Sequence, residues 1–93
     1  MSDTTFEESV LSVLKMLEPG EVVTYGDVAE QAGFPGAARA VGTLLRRTTA
    51  DIPWWRVVGA GGQLRSPNPR RQAAYLRAEN VPLRGLRVLW PIG

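Results

Sequence analysis

The chain is 93 residues long, 44% hydrophobic and 22% charged, which fits one small domain, residues 1–93, burying about 60–65% of its unfolded surface. It contains no cysteine and no histidine, so disulfides, thiolate nucleophiles, imidazole general bases and conventional zinc sites are excluded. The net charge of +2 hides a division: residues 1–30 hold seven acids and one base, and residues 31–93 hold ten arginines and two acids.

An arginine-rich segment of this kind suits a polyanion partner, because guanidinium pairs bidentately with phosphate and stacks on bases. A solvated arginine surface is the alternative reading. The start MSDTTFEES is polar and acidic, unlike a signal peptide. No apolar run approaches the roughly 18 residues a membrane span needs. A cytoplasmic protein with no membrane partner is expected.

In chain order, Phe6, Val10, Leu11, Val13, Leu14 and Leu17 recur at helical spacing. Asp3 or Thr5 is expected to cap that helix, and Pro19-Gly20 to end it. Glu21-Val22-Val23 reads as an extended link. Thr24 and Asp27 have the spacing of a capping box, opening a second helix that stops at Gly33. After the break Phe34-Pro35-Gly36, a third helix is predicted from about Ala37 to Arg47, with an apolar stripe of Ala40/Val41, Leu44 and Leu45. Its other face carries Arg39, Gly42, Thr43, Arg46 and Arg47. Two short helices around such a break form a helix-turn-helix pattern. The small residues Ala37, Ala38 and Gly42 either let this helix approach a groove wall or pack tightly on a neighbouring helix.

Val57-Val58, Gly59-Ala60-Gly61-Gly62 and Gln63-Leu64 read as strand, turn and return strand, a candidate wing. An irregular loop over residues 65–71 precedes a last helix from Gln72 to Asn80, and the tail is expected to pack partly as a short strand. The expected fold is therefore mainly α with a short β-hairpin, a winged helix-turn-helix-like DNA-binding domain.

Three stretches carry a resemblance. Gly20-Glu21-Val22-Val23-Thr24-Tyr25-Gly26, Pro35-Gly36-Ala37-Ala38-Arg39-Ala40-Val41-Gly42 and Ile52-Pro53-Trp54-Trp55-Arg56-Val57-Val58 stand in order. They resemble the GEVxTYG segment, the P-x-A-A-R-A-V-G recognition helix and the I-P-C-H-R-V-V motif of O6-alkylguanine-DNA alkyltransferases. The chain resembles most the cysteine-less relatives of that family, the alkyltransferase-like proteins. Trp54 stands where the alkyl-accepting cysteine would be, and Trp55 where the histidine would be. Glu79 matches the acid of the family's relay, which here has no imidazole to act on.

The resemblance implies a minor-groove DNA interface of Tyr25, Ala37, Ala38, Arg39, Gly42, Thr43, Arg46 and Arg47. Arg39 would enter the base stack and Tyr25 would crowd the phosphate 3′ of the flipped nucleotide. It implies a lesion pocket of Tyr25, Trp54 and Trp55 with the loop arginines Arg65, Arg70 and Arg71. Trp55 either fills core space or touches the base, and Arg56 is expected to bond carbonyls behind the pocket. No catalytic residue, metal or cofactor is assigned. The implied activity is that of a monomeric, non-enzymatic sensor of O6-alkylguanine in double-stranded DNA, flagging it to nucleotide excision repair proteins. A sequence-specific winged-helix regulator is the alternative.

Overall fold

A computed structural model of the chain describes residues 2–89, with side chains from Thr5 onward. The helices are α1 Ser2–Lys15, α2 Tyr25–Gln31, α3 Ala38–Arg47 and α4 Pro69–Ala78. Between and after them lie the two-residue strands β1 Val23–Thr24, β2 Val57–Val58, β3 Leu83–Arg84 and β4 Arg87–Val88. This mainly helical architecture with short strands is the class expected from the sequence. Among the described residues, no helix is long and apolar enough to cross a membrane.

α1 is already helical at Ser2, so Thr5 stands inside the helix and not at its cap. The Asp3 side chain lies outside those described. Val10, Leu14 and, just beyond the helix, Leu17 form its buried stripe, at the four- and three-residue spacing of one helical face. The chain then turns through Pro19-Gly20 and enters β1. β1 pairs parallel with β2, with Val23 opposite Val57 and Thr24 opposite Val58. That register sets the residues that follow each strand side by side, Tyr25-Gly26 next to Gly59-Ala60.

The capping box is formed. The Asp27 N–H donates to Thr24 Oγ1 at 2.9 Å and the Thr24 N–H to Asp27 Oδ2 at 3.0 Å, satisfying two of the N–H groups that a helix start leaves open. α2 ends through bonds from the Ala32 and Phe34 N–H groups to Val28 and Ala29. The turn to α3 passes Gly33 and Gly36 at φ of 92° and 88°, a region that costs a residue with a Cβ energy. Phe34 packs edge-on against Phe6, with ring centroids 5.1 Å apart, fastening this turn to α1.

α3 buries Val41 and Leu44, with Leu45 packed beside them. Ala40, placed by periodicity on the apolar stripe, is exposed; it sits at the border of a helix whose buried arc is narrow. Ala38, Arg39, Gly42, Thr43, Arg46 and Arg47 occupy the rest of the circumference.

The expected wing over residues 57–64 does not form. β2 is taken by β1, and the return segment pairs with the C-terminal part of the chain. Gln63 bridges Arg87, and the Leu64 N–H donates to Leu86. Only a turn remains at 59–63, closed by a 2.8 Å bond from the Gly59 N–H to Gln63. The short hairpin is instead β3–β4, with Leu83 opposite Val88. The expectation that the tail supplies a short strand holds through residue 89; residues 90–93 lie outside the description.

α4 begins at Pro69, three residues before the predicted start. Asn68 caps it, accepting from the Arg71 N–H at 3.1 Å, and Pro69 occupies the first turn, where its missing N–H costs nothing. Arg70 and Arg71 are therefore helical. Two clusters make the core. One joins α1, α2 and α3 around Val10, Leu14, Val28, Val41 and Leu44. The other joins β2, α4 and the hairpin around Val58, Ala73, Leu76 and Val88.

Candidate nucleic-acid interface

A groove opens between the start of α2, one face of α3 and the segment that follows β2. Its volume is about 710 Å³, and it is lined by Thr24, Tyr25 and Gly26, by Ala38, Arg39, Gly42, Thr43 and Arg46 of α3, and by Gly59, Ala60 and Arg65. The parallel β1–β2 register supplies the first and third groups; the helix-turn-helix supplies the second. Arg39, Thr43 and Arg46 follow at four- and three-residue spacing, so one face of α3 presents them together. All three are exposed. Thr43 Oγ1 donates to the Arg39 carbonyl at 3.2 Å. α3 has no side-chain cap and no acid in its first turn, leaving the positive end of its dipole unopposed.

Arg39 lies on the ridge between this groove and a shallower hollow containing Ala37, Ala40, Thr43 and Arg47. Arg47 reaches Glu7 at 3.9 Å with both side chains well exposed, a pairing that contributes little in water. Among the described residues no carboxylate lies within ion-pair distance of Arg39, Arg46, Arg65 or Arg71.

Behind the groove opens a smaller cavity of about 260 Å³. It shares Tyr25, Gly42 and Arg46 with the groove, and Leu45, Thr48, Trp54, Ser66, Pro67, Asn68 and Arg71 complete it. This is below the roughly 300–1,000 Å³ typical of sites for drug-sized ligands, and it is lined by one indole wall, aliphatic contact and several hydrogen-bonding groups. Tyr25 stands at the junction, half-buried and packed on the first core cluster. Burial pushes its phenol above the ordinary tyrosine range, against the opposing pull of Arg46 and Arg65, so it is a neutral hydroxyl at physiological pH.

The two tryptophans part company. Trp54 packs on the first core cluster and lines the cavity; Trp55 packs on the second and does not. Their rings are perpendicular, at 89° with centroids 6.0 Å apart. Trp55 stacks on Tyr75 at 4.6 Å and 20°, while Trp54 meets Tyr75 edge-on at 5.8 Å. The Trp55 indole donates to Glu79 Oε2 at 2.8 Å. The core-filling reading of Trp55 therefore fits its surroundings, and a wall position in the cavity does not.

Glu79 is fully engaged. It also accepts from the Gly20 N–H at 2.8 Å and from Arg56 Nε and Nη2, the latter at 2.7 Å. Arg56, 8% exposed, adds a 2.8 Å bond to the Leu17 carbonyl, as expected of an arginine bonding behind the pocket. Burial raises the Glu79 carboxyl, but the bonds from Arg56, Gly20 and Trp55 outweigh it and hold the group at about 2. The buried Gln72 amide donates to the carbonyls of Trp55 and Val57, fixing the Trp54–Arg56 turn to α4.

Of the expected DNA-facing residues, Tyr25, Ala38, Arg39, Gly42, Thr43 and Arg46 line the groove; Ala37 and Arg47 lie in the neighbouring hollow. Of the expected pocket residues, Tyr25, Trp54 and Arg71 share the cavity and Arg65 lines the groove. Arg70 and Trp55 line neither. The early start of α4 sets these adjacent arginines about 100° apart around the helix, and Arg71, not Arg70, lines the cavity. Sequence reasoning missed Ser66, Pro67 and Asn68 as lining. The Asn68-Pro69 pair is a readable cap signal that places them at the cavity's edge. It also missed Gly59, where a Cβ would stand 2.6 Å from the Arg65 side chain: the arginine lies across the space this glycine leaves.

The family model describing the DNA-binding domain of 6-O-methylguanine DNA methyltransferase matches residues 5–81. The chain is 40% identical over 87 residues to the DNA base-flipping protein of Escherichia coli K12, spanning 89% of this chain and 67% of that one. It is 48% identical over 63 residues to the methylated-DNA–protein-cysteine methyltransferase of Mycobacterium leprae, covering 66% of this chain but 38% of the relative. In structure it is similar to S. pombe Atl1 in complex with damaged DNA containing O6-carboxymethylguanine, with a TM-score of 0.78 at 27% identity, over 95% of this chain and 87% of that one. With this match across most of its length and no cysteine anywhere in its sequence, the chain is a cysteine-free member of the 6-O-methylguanine DNA methyltransferase DNA-binding-domain family.

Proposed function

We propose that this protein binds O6-alkylguanine in duplex DNA through the minor groove, turns the nucleotide into the Trp54 cavity and releases it chemically unchanged. The observation that carries the reading is the continuity of groove and cavity through Tyr25, Gly42 and Arg46, in a chain with no thiol to accept an alkyl group. Arg39 enters the stack as the nucleotide leaves and faces the orphaned cytosine. Extrusion costs a few kcal/mol, less for a mispaired or damaged base, and contact with the Trp54 indole offsets about 1–3 kcal/mol of it. Thr43, Arg46 and Arg47 meet phosphates, which position the protein without reading sequence. The similarity to the E. coli DNA base-flipping protein and to S. pombe Atl1 bound to damaged DNA supports the same reading.

The bound lesion, held outside the helix and unaltered, flags the site for nucleotide excision repair. A monomer suffices, since one chain carries both groove and cavity.

The test is equilibrium binding to matched duplexes containing guanine or O6-methylguanine at fixed salt, with intact-mass analysis of protein and DNA afterwards. Tighter binding to the lesion with no mass change on either partner supports the proposal. Equal affinities, or transfer of the methyl group, overturn it. Excision rates in a reconstituted repair reaction, with and without the protein, test the flagging step separately.

A further inference from the structure

The segment that lines one side of the groove leads into a row of polar side chains outside it. Gln63 bridges Arg87, and Arg87 stands opposite Arg84 in the β3–β4 register. Residues paired across strands share a face of the sheet, so these three side chains form one row, and all three are exposed. The opposite face is the buried one, where Leu64, Leu83 and Val88 pack in the second core cluster. Neighbouring strands lie about 4.8 Å apart, so the row runs about 10 Å from Gln63 to Arg84.

Arg65 joins this row to the groove. It lines the groove across from α3, lies over Gly59, and donates from Nη2 to Gln63 Oε1 at 2.8 Å. Arg87 is seated on the same turn, its Nε donating to the Gly61 carbonyl at 3.0 Å. Its two terminal NH₂ groups hold no hydrogen bond among the described residues, and Arg84 makes neither a hydrogen bond nor an ion pair among them. Like charges directly opposite on paired strands are destabilising. The hairpin nevertheless sets two guanidinium groups in that register, with no carboxylate within ion-pair distance of either among the described residues.

We infer that the Arg84–Arg87 face of the hairpin binds the DNA backbone beyond the groove, as a second phosphate contact on one flank of the bound site. This deepens the DNA reading above and rests on it. An acidic protein surface would satisfy the charge equally; continuity with the groove through Arg65 and the 59–63 turn selects the duplex. Such contacts add affinity and fix the protein's orientation on the duplex without reading the lesion.

The experiment measures binding of guanine and O6-methylguanine duplexes across a range of salt for wild type, R84Q, R87Q and the double variant, with thermal melting as the check on folding. Each phosphate neutralised contributes about 0.9 to the slope of log K against log salt. The double variant is expected to lower that slope by about 1.8 on both duplexes and to keep the wild-type ratio of lesion to guanine affinity. R84Q, whose side chain holds no bond among the described residues, gives about half of this change with no loss of melting temperature. In a second series one flank of the duplex is shortened at a time. The penalty for cutting one flank shrinks in the double variant, and the penalty for cutting the other does not. A wild-type slope in the double variant overturns the inference and leaves an acidic protein as the partner the row fits. Weakening confined to the lesion duplex, or equal changes in both flank penalties, also overturns it. A wild-type protein that binds both duplexes equally, with the slope still falling in the variants, overturns the lesion reading and leaves this one standing.

Discussion

The Trp55 indole and the Glu79 carboxylate meet at 2.8 Å, 24 positions apart in sequence, inside a knot that also holds Arg56 and the Gly20 N–H. One carboxylate thereby ties together the turn after α1, the turn that presents Trp54 and the end of α4. Removing it leaves Arg56 as a buried cation with no counter-charge. E79Q is expected to lose about 3 kcal/mol of folding stability, as for other broken buried pairs. W55F, which removes one donor and keeps most of the ring, loses about 1–2 kcal/mol. Denaturant melts measure both. Equal losses in the two variants would contradict the central place given to the Arg56–Glu79 pair.

The same group sets an acid limit. Its folded value of about 2 lies below its ordinary 4.5, so its ionised form is the one the fold favours. This contribution is complete above about pH 4.5 and is lost as pH falls through about 2. The stability gap between wild type and E79Q is therefore expected to close across that window and to be flat above it. A gap that persists unchanged to pH 2 would show that Glu79 acts by packing and not by charge.

Gly42 lies beside Tyr25, and a Cβ there would stand 3.9 Å from two carbons of the phenol ring. That is ordinary contact, so alanine fits the folded state, and a mid-helix glycine replaced by alanine gains about 0.5–1 kcal/mol. The added methyl projects where groove and cavity join. G42A is expected to raise the melting temperature while weakening lesion-duplex binding at least about tenfold, roughly 1.4 kcal/mol. Unchanged binding would place the DNA elsewhere.

Arg39 is exposed and without an ion-pair partner among the described residues, so R39A is expected to leave stability within about 0.5 kcal/mol. It removes most of the preference for lesion over guanine and keeps the salt-dependent, non-specific binding. Equal loss on both duplexes would make Arg39 a phosphate contact. For Tyr25 the informative change is Y25F, because the ring packs on the first core cluster; Y25A mixes a core defect with a binding defect. Lesion affinity unaffected by Y25F would assign the hydroxyl no part in binding.

Helix content was legible wherever a local rule decides it: the stripe of Val10 and Leu14, the Thr24–Asp27 capping box, the two glycines flanking the helix-turn-helix break. What local rules missed was pairing. Val57-Val58 followed by three glycines among four residues satisfies a hairpin pattern, but a buried parallel partner at Val23-Thr24 satisfies those backbone groups better, and nothing short-range announces it. The α4 start was readable from Asn68-Pro69 and was displaced by the arginine run that follows. Trp54 and Trp55 are chemically identical in sequence; only the Trp54–Arg56 turn sends one to the cavity and the other to Glu79. The knot around Glu79 joins residues from three distant segments, which no spacing within one segment reveals.

A crystal structure of the complex with an O6-methylguanine duplex tests the central claim most directly. The account predicts the modified nucleotide outside the helix against Trp54, its methyl group still on O6, and the Arg39 side chain in the vacated stack. A lesion left stacked between its neighbours, with no base in the Trp54 cavity, would contradict it.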